Sequence, residues 1–435
     1  MTQQGNAPSY RWFLLGLIVL WSWSGVVATA EERAEEGLDL NVLVREAVER
    51  NPEIRAAEQR YRAAQARPSQ AGSLPDPMLE GAYHNEPITP FTLGRSDFSF
   101  LRFGASQEVP FPGKLSLRAD MAARDAEREE QMLHATTLSV ISRLTVAYDE
   151  LTFTYQALEI LQRNKSFLQD LQKSAEARYQ VGQGIQQDVI KAQVEVSLLT
   201  SRLMQLERKR EGLGATINGL LNRPPLAPLG RPAPLQQTRF TLTMEEVQAL
   251  TLKHSPELKG AELAITRNEL GLSLAQREYY PDLVFKADYM NKAARLPEWE
   301  VGVGVKVPLY FWHKQRYGVL EAAAGVGEAR STRQNVIQTL LARIKDLYVQ
   351  TRTAEQLATL YQTAVIPQSR LSFESASAGY TVGKVDFLTL LNNILVLREA
   401  ELSYEEQRTE FANSVAQLEE IAGTSLQEAG GGGTP

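Results

Sequence analysis

The sequence predicts a mainly α-helical chain with a transmembrane β region, built as a duplicated repeat with four β-strands and long coiled-coil helices. Three observations predict this class. Short motifs recur in the same order about 200 residues further along. Long stretches carry core residues spaced alternately four and three apart, the heptad signature of helices packed side by side. Short runs alternate apolar and polar residues, which suits strands with lipid on one face and water on the other.

The first segment, residues 1–30, reads as a secretory signal peptide. Arg11 precedes an apolar stretch from Trp12 to Val27, and Ala28-Thr29-Ala30 supplies the small-residue cleavage site. An uncleaved anchor is the rival reading, but the apolar stretch is about 16 residues where a span needs roughly 20. The chain contains no cysteine. That excludes a disulfide framework and a thiolate metal site, and leaves no residue to carry a lipid anchor.

The repeats follow. Residues 31–222 form the first, 223–238 a proline-rich linker and 239–423 the second, with 424–435 as a glycine-rich tail expected to be disordered. Asn51-Pro52-Glu53-Ile54 is echoed by Ser255-Pro256-Glu257-Leu258, and Leu74-Pro75-Asp76 by Tyr280-Pro281-Asp282. Val109-Pro110 returns as Val307-Pro308, and Tyr179-Gln180-Val181-Gly182 as Tyr380-Thr381-Val382-Gly383. Each repeat reads as a helix, a β-hairpin, a very long helix, a glycine-containing turn and another long helix. Pro224, Pro225, Pro228, Pro232 and Pro234 cannot continue a helix, so they separate the copies.

In the first repeat the helix from Lys114 to Tyr179 meets no proline and reaches about 100 Å at 1.5 Å per residue. Leu144, Tyr148, Leu151, Tyr155 and Leu158 mark its apolar stripe. In the second, Leu340, Ile344, Leu347, Thr351, Ala354, Ala358, Tyr361 and Val365 keep the same spacing. A scaffold coiled coil would explain these heptads but not the strands.

The strands carry the membrane reading. Leu283, Phe285, Ala287 and Tyr289 alternate with Val284, Lys286, Asp288 and Met290; Trp299, Val301, Val303, Val305 and Val307 alternate with Glu300, Gly302, Gly304 and Lys306. Each run is about nine residues, the length of a tilted bilayer-spanning strand. The first copy offers Met78 to Asn85 and Phe98 to Val109, less regularly patterned. Tyr279, Tyr280, Tyr310, Phe311 and Trp312, with Trp299, are the candidate membrane-interface aromatics. Half-buried hairpins on a soluble core remain the competing explanation. If the strands span lipid, four cannot close a barrel, and two chains give about eight, whose interior side chains fill. Three chains give about twelve and room for water.

The chain resembles the TolC-type outer-membrane efflux family through its duplication, two hairpins, long paired helices, and glycine turns at Tyr179 to Gly184 and Tyr380 to Val385. The resemblance spans about Leu38 to Gly423. It implies a homotrimer in outer-membrane lipid, with a twelve-stranded β-barrel and an α-helical barrel crossing the periplasm of a Gram-negative cell. It also implies a periplasmic adaptor protein and an inner-membrane pump as partners. By position, Tyr179, Val181, Gly182 and Gly184, with Tyr380, Val382, Gly383 and Lys384, would be the adaptor-docking tips. Glycine at such turns also serves simply to adopt positive φ. Relatives narrow their lumen with acids just after the second-copy turn, which here points to Asp386; Thr389 stands where a second acid can occur. The comparable first-copy residues, Asp188 and Lys191, could form a latch between neighbouring helices. An aspartate at a helix N-terminus is equally favoured as a cap. Val109-Pro110-Phe111-Pro112-Gly113-Lys114 resembles the heavy-metal efflux branch, which implies metal cations as one cargo class.

Other chemistry finds little support. The net charge is −6 and charges are interspersed, so no basic stripe awaits nucleic acid. His84, His134, His254 and His313 are scattered without ligand spacing, and no phosphate loop, nucleophile elbow or dinucleotide fingerprint occurs. No catalytic residue, metal site or cofactor is therefore expected. Besides an efflux channel, a type I secretion duct and a periplasmic coiled-coil adaptor or scaffold remain alternatives.

Overall fold

The computed structural model describes residues 37–86, 88, 90–235 and 239–426. The signal-peptide reading of 1–30 and most of the tail lie outside these residues.

Each copy opens on a helix–proline–helix corner. In the first, α1 (Leu40–Arg50) meets α2 (Pro52–Ala71) at Asn51, whose side-chain oxygen accepts from the Glu53 and Ile54 N–H groups at 2.8 and 3.2 Å. Pro52 occupies the first helical position, where a missing N–H costs nothing. The Asn51 amide donates to the Leu220 carbonyl at 2.8 Å, pinning the corner to the far end of the repeat. The Ser255-Pro256 corner repeats the plan between helices Met244–His254 (α5) and Pro256–Arg277 (α6).

The long helices are α3 (Lys114–Gln180), α4 (Gln186–Leu220), α7 (Gln315–Leu360), α8 (Ile366–Thr381) and α9 (Phe387–Ala422). With 67 residues, α3 extends about 100 Å. It packs on α2, α4, α6 and α9, so one helix braces both copies. The expected stripe on α7 is buried at Leu340, Ile344, Leu347, Thr351, Ala354 and Ala358. It weakens at Tyr361 and Val365, which are only half-buried and belong to a π-helical turn, Tyr361–Val365, before α8. Pro367 causes this departure. It lacks an N–H, its ring crowds the carbonyl one turn earlier, and the wider turn rotates the stripe off the seam.

Among the described residues three apolar cores follow from this packing. One joins the turn-proximal parts of α3, α4, α8 and α9 through Leu168, Leu199, Leu390 and Leu391. The others are equivalents from the two copies: Leu43, Leu144 and Ile217 in the first, and Val247, Ile344 and Leu418 in the second. The linker is held against the first copy by an Arg223–Glu46 ion pair and by the Leu38 N–H donating to the Arg231 carbonyl at 2.9 Å.

The strands are β1 (Met78–His84), β2 (Phe100–Val109), β3 (Asp282–Asn291) and β4 (Glu298–Lys306). They form one antiparallel sheet in the order β1-β2-β3-β4, so the two hairpins join through β2 and β3.

Candidate functional site

The register of the sheet decides its two faces. Leu79, Phe103, Phe285 and Val303 share one face, together with Tyr83, Leu101, Tyr289, Trp299, Val301 and Val305, because Phe103 pairs with Tyr289 and Phe285 with Val303. Val303 is 61% exposed, and its apolar neighbours on that face are largely uncovered. The opposite face carries ion pairs from Arg102 to Glu80 at 2.8 Å and from Lys306 to Glu108 at 3.0 Å, the latter reaching across β3. An apolar outer face and a charged inner face are what a barrel wall between lipid and water requires. Among the described residues no helix is long and apolar enough to cross a membrane.

The predicted aromatics divide between the two ends of this wall. Tyr279, Tyr280, Tyr310, Phe311 and Trp312 lie where strands pass into helices, with Phe311 5.0 Å from Trp312 and 6.4 Å from Tyr279. Trp299 lies at the other end, opposite Tyr289.

The strand-to-helix junction contains a lock that the sequence reading did not anticipate. Lys114 is 1% exposed, and its ammonium donates to Asp282 Oδ1 at 2.8 Å and to the Tyr280 carbonyl at 3.0 Å. Asp282 Oδ1 also accepts the Phe111 N–H at 2.7 Å, while the Phe111 ring stacks on Tyr280 at 4.6 Å between centroids. Gly113 permits this approach. Its φ is +91°, and a Cβ there would sit 1.8 Å from Arg277, whose guanidinium donates to the Pro112 carbonyl at 2.8 Å. The one available signal was a lysine directly after a Pro-Gly helix start, which composition alone reads as a surface charge.

At the other end of the helices, two turns lie side by side. Gly182 and Gly383 have φ of +74° and +73°, and a Cβ at either would meet nothing, so these glycines serve backbone conformation at an exposed apex. Tyr179, Val181, Val382 and Lys384 are exposed, and Gly184 is half-buried. Tyr380 departs from the expected docking set. It is 6% exposed, lies under the Arg178 guanidinium at 4.2 Å and meets Phe387 edge-on. Arg178, absent from the predicted set, donates to the Tyr380 and Thr381 carbonyls at 2.6 and 3.3 Å and so ties the first turn to the second.

Asp386 caps α9, accepting the Thr389 N–H at 2.7 Å and its hydroxyl at 3.1 Å, and these bonds hold its carboxyl below the usual range. Asp188, in the first turn of α4, is pushed up by burial and then by the Asp386 charge. Both line a groove of about 530 Å³ between the turns. Lys191 is exposed on the same helix as Asp188, and among the described residues no ion pair joins the two within one chain. Among the described residues no group of three histidine, cysteine, aspartate or glutamate side chains could hold a metal ion.

A family model for outer membrane efflux proteins matches residues 43–222 and 248–424, one segment per repeat. The chain belongs to the outer membrane efflux protein family. It is thus an efflux protein of the outer membrane, and the family and its structural neighbours are channels rather than enzymes. A pyoverdine export outer membrane protein, OpmQ of Pseudomonas putida, is 23% identical over 414 residues, covering 91% of this chain and 86% of that protein. The Campylobacter jejuni CmeC outer membrane channel superposes with a TM-score of 0.77 at 16% identity, over 97% of this chain and 94% of that one. VceC of Vibrio cholerae gives 0.76 at 18% identity, over 89% and 96%. At these identities the structural likeness speaks for the fold alone.

Proposed function

We propose that the efflux channel is a homotrimer in which three copies contribute about twelve strands to one barrel and pair their helices into a tube reaching through the periplasm. The observation that carries this reading is a four-stranded sheet with an exposed apolar face and two outer edges, β1 and β4, that lack strand partners among the described residues. In hydrocarbon each unsatisfied backbone group costs several kcal/mol, so those edges must close on further copies of the chain. Residues 1–30 then serve as the export signal, the two repeats as equivalent halves of one wall, and the barrel itself as the membrane attachment.

The glycine turns are the surface offered to a periplasmic adaptor joined to an inner-membrane pump. Exposed Val181 and Val382 at adjacent apices support this assignment. Asp386 and Asp188, gathered at the same end, would ring the axis in a trimer, with Lys191 free to reach a neighbouring helix. Detergent extraction from outer membranes, followed by light scattering, should give a particle about three times the chain mass that conducts ions in planar bilayers. A soluble monomer in the periplasmic fraction would refute this reading and favour an adaptor or scaffold.

A further inference from the structure

The β2–β3 seam is closed by the Lys114–Asp282 lock, and each of its members has a counterpart in the other repeat. Val109-Pro110 corresponds to Val307-Pro308 and Pro281-Asp282 to Pro75-Asp76, while Lys114, five residues after Val109 and first in α3, is matched across a loop two residues longer by Lys314, seven residues after Val307 at the cap of α7. The counterparts are not together in one chain, because β4 and β1 form opposite edges of the sheet. Lys314 and Asp76 are both exposed, and among the described residues neither has an ion-pair partner.

We infer that Lys314 of one copy and Asp76 of the partner subunit form a second version of this lock, which closes the seam between neighbouring copies of the barrel. This rests on the trimer reading above and adds its register and its pinning charges. In the observed seam Val109 pairs with Leu283 and Glu108 with Val284. Transferred through the repeat, that register sets Lys306 opposite Met78 of the partner subunit and Val305 opposite Leu79 of the partner subunit. Val303 then faces Gly81 of the partner subunit, and Val301 faces Tyr83 of the partner subunit. The transfer passes a parity test that it could have failed. Val305, Val303 and Val301 fall beside Leu79, Gly81 and Tyr83 on the exposed uncharged face of β1, whereas a one-residue slip would place valines against Glu80 and Ala82. The new seam lacks the ring stack of the first, since Leu74 stands where Tyr280 does. The charge pair is then the feature that sets its register.

Charge exchange and cross-linking test this together. Asp76→Lys or Lys314→Asp alone should lower the assembled fraction about tenfold, since each sets like charges against one another across the seam. The double exchange should restore it. The chain has no native cysteine, so Asp76→Cys with Lys314→Cys places the only two thiols, and a short bis-maleimide should give covalent dimers and trimers from the double variant alone. An intact trimer with no cross-link, and single reversals that the exchange does not rescue, would overturn the lock and leave the assembly standing. A native chain that is monomeric in detergent would remove both.

Discussion

Val303→Arg tests the barrel wall most directly. Val303 lies near the middle of β4, paired with Phe285, in the exposed apolar row. An arginine at the bilayer midplane of a strand's lipid face costs about 2–4 kcal/mol. A closed barrel carries the substitution once per chain, so three copies would lose about 6–12 kcal/mol if the sites act independently. Each 1.4 kcal/mol is about tenfold in an equilibrium, so the assembled form should fall below detection. The control is Gly302→Ser, on the charged face, where a new Cβ meets nothing within 4 Å. Refolding into lipid vesicles, read by gel mobility without boiling, should show trimer for the control and native chains and none for Val303→Arg. Normal assembly of Val303→Arg beside failure of Gly302→Ser would mean that the faces are inverted and that lipid touches the ion-paired side.

Four further outcomes follow from the structure. Asp149 is 3% exposed and pushed up to about 7 by burial and then by the Glu150 charge, in a cavity that Asp39 and Glu419 also line. The folded chain therefore holds a proton that the unfolded chain releases near 3.8, so stability falls as pH rises from about 4 to 7; Asp149→Asn should stabilise by at most about 4 kcal/mol in urea titrations at pH 8 and change little at pH 4. Lys114→Met should cost about 3–5 kcal/mol by stranding Asp282, and adding Asp282→Leu should recover most of the loss in thermal melts. Gly182→Val or Gly383→Val should strain a left-handed turn by roughly 1–3 kcal/mol and reduce export in a drug-susceptibility assay, with trimer retained in the membrane. Asp386→Asn, which keeps the helix cap, should lower cation selectivity in planar-bilayer recordings; unchanged selectivity would restrict Asp386 to capping.

Much of this architecture is legible in the sequence. Duplication is a recurrence of motifs along the chain, while strand alternation and the heptads of α3 and α7 are periodic signals carried by residues within one element, and local periodicity is what dictates which side of a helix or strand turns inward. The interruption at Tyr361–Val365 was also written locally, in Pro367, although the extended heptad reading passed over it. The glycines of the two turns were readable for the same reason, since positive φ is a property of a single residue.

What only the tertiary structure decided is which distant residues meet. Lys114 reads as a surface lysine until α3 is laid against the start of β3, 168 positions away, where burial turns it into the partner of Asp282. Tyr380 repeats Tyr179 in the sequence, yet one is covered and the other exposed, because Arg178 crosses from the first turn to cap only the second. Asp188 and Asp386 gain their mutual repulsion from the same closure of the two hairpins. Periodicity determines faces, whereas pairings across such separations depend on how whole helices pack, and no local pattern in the sequence encodes them.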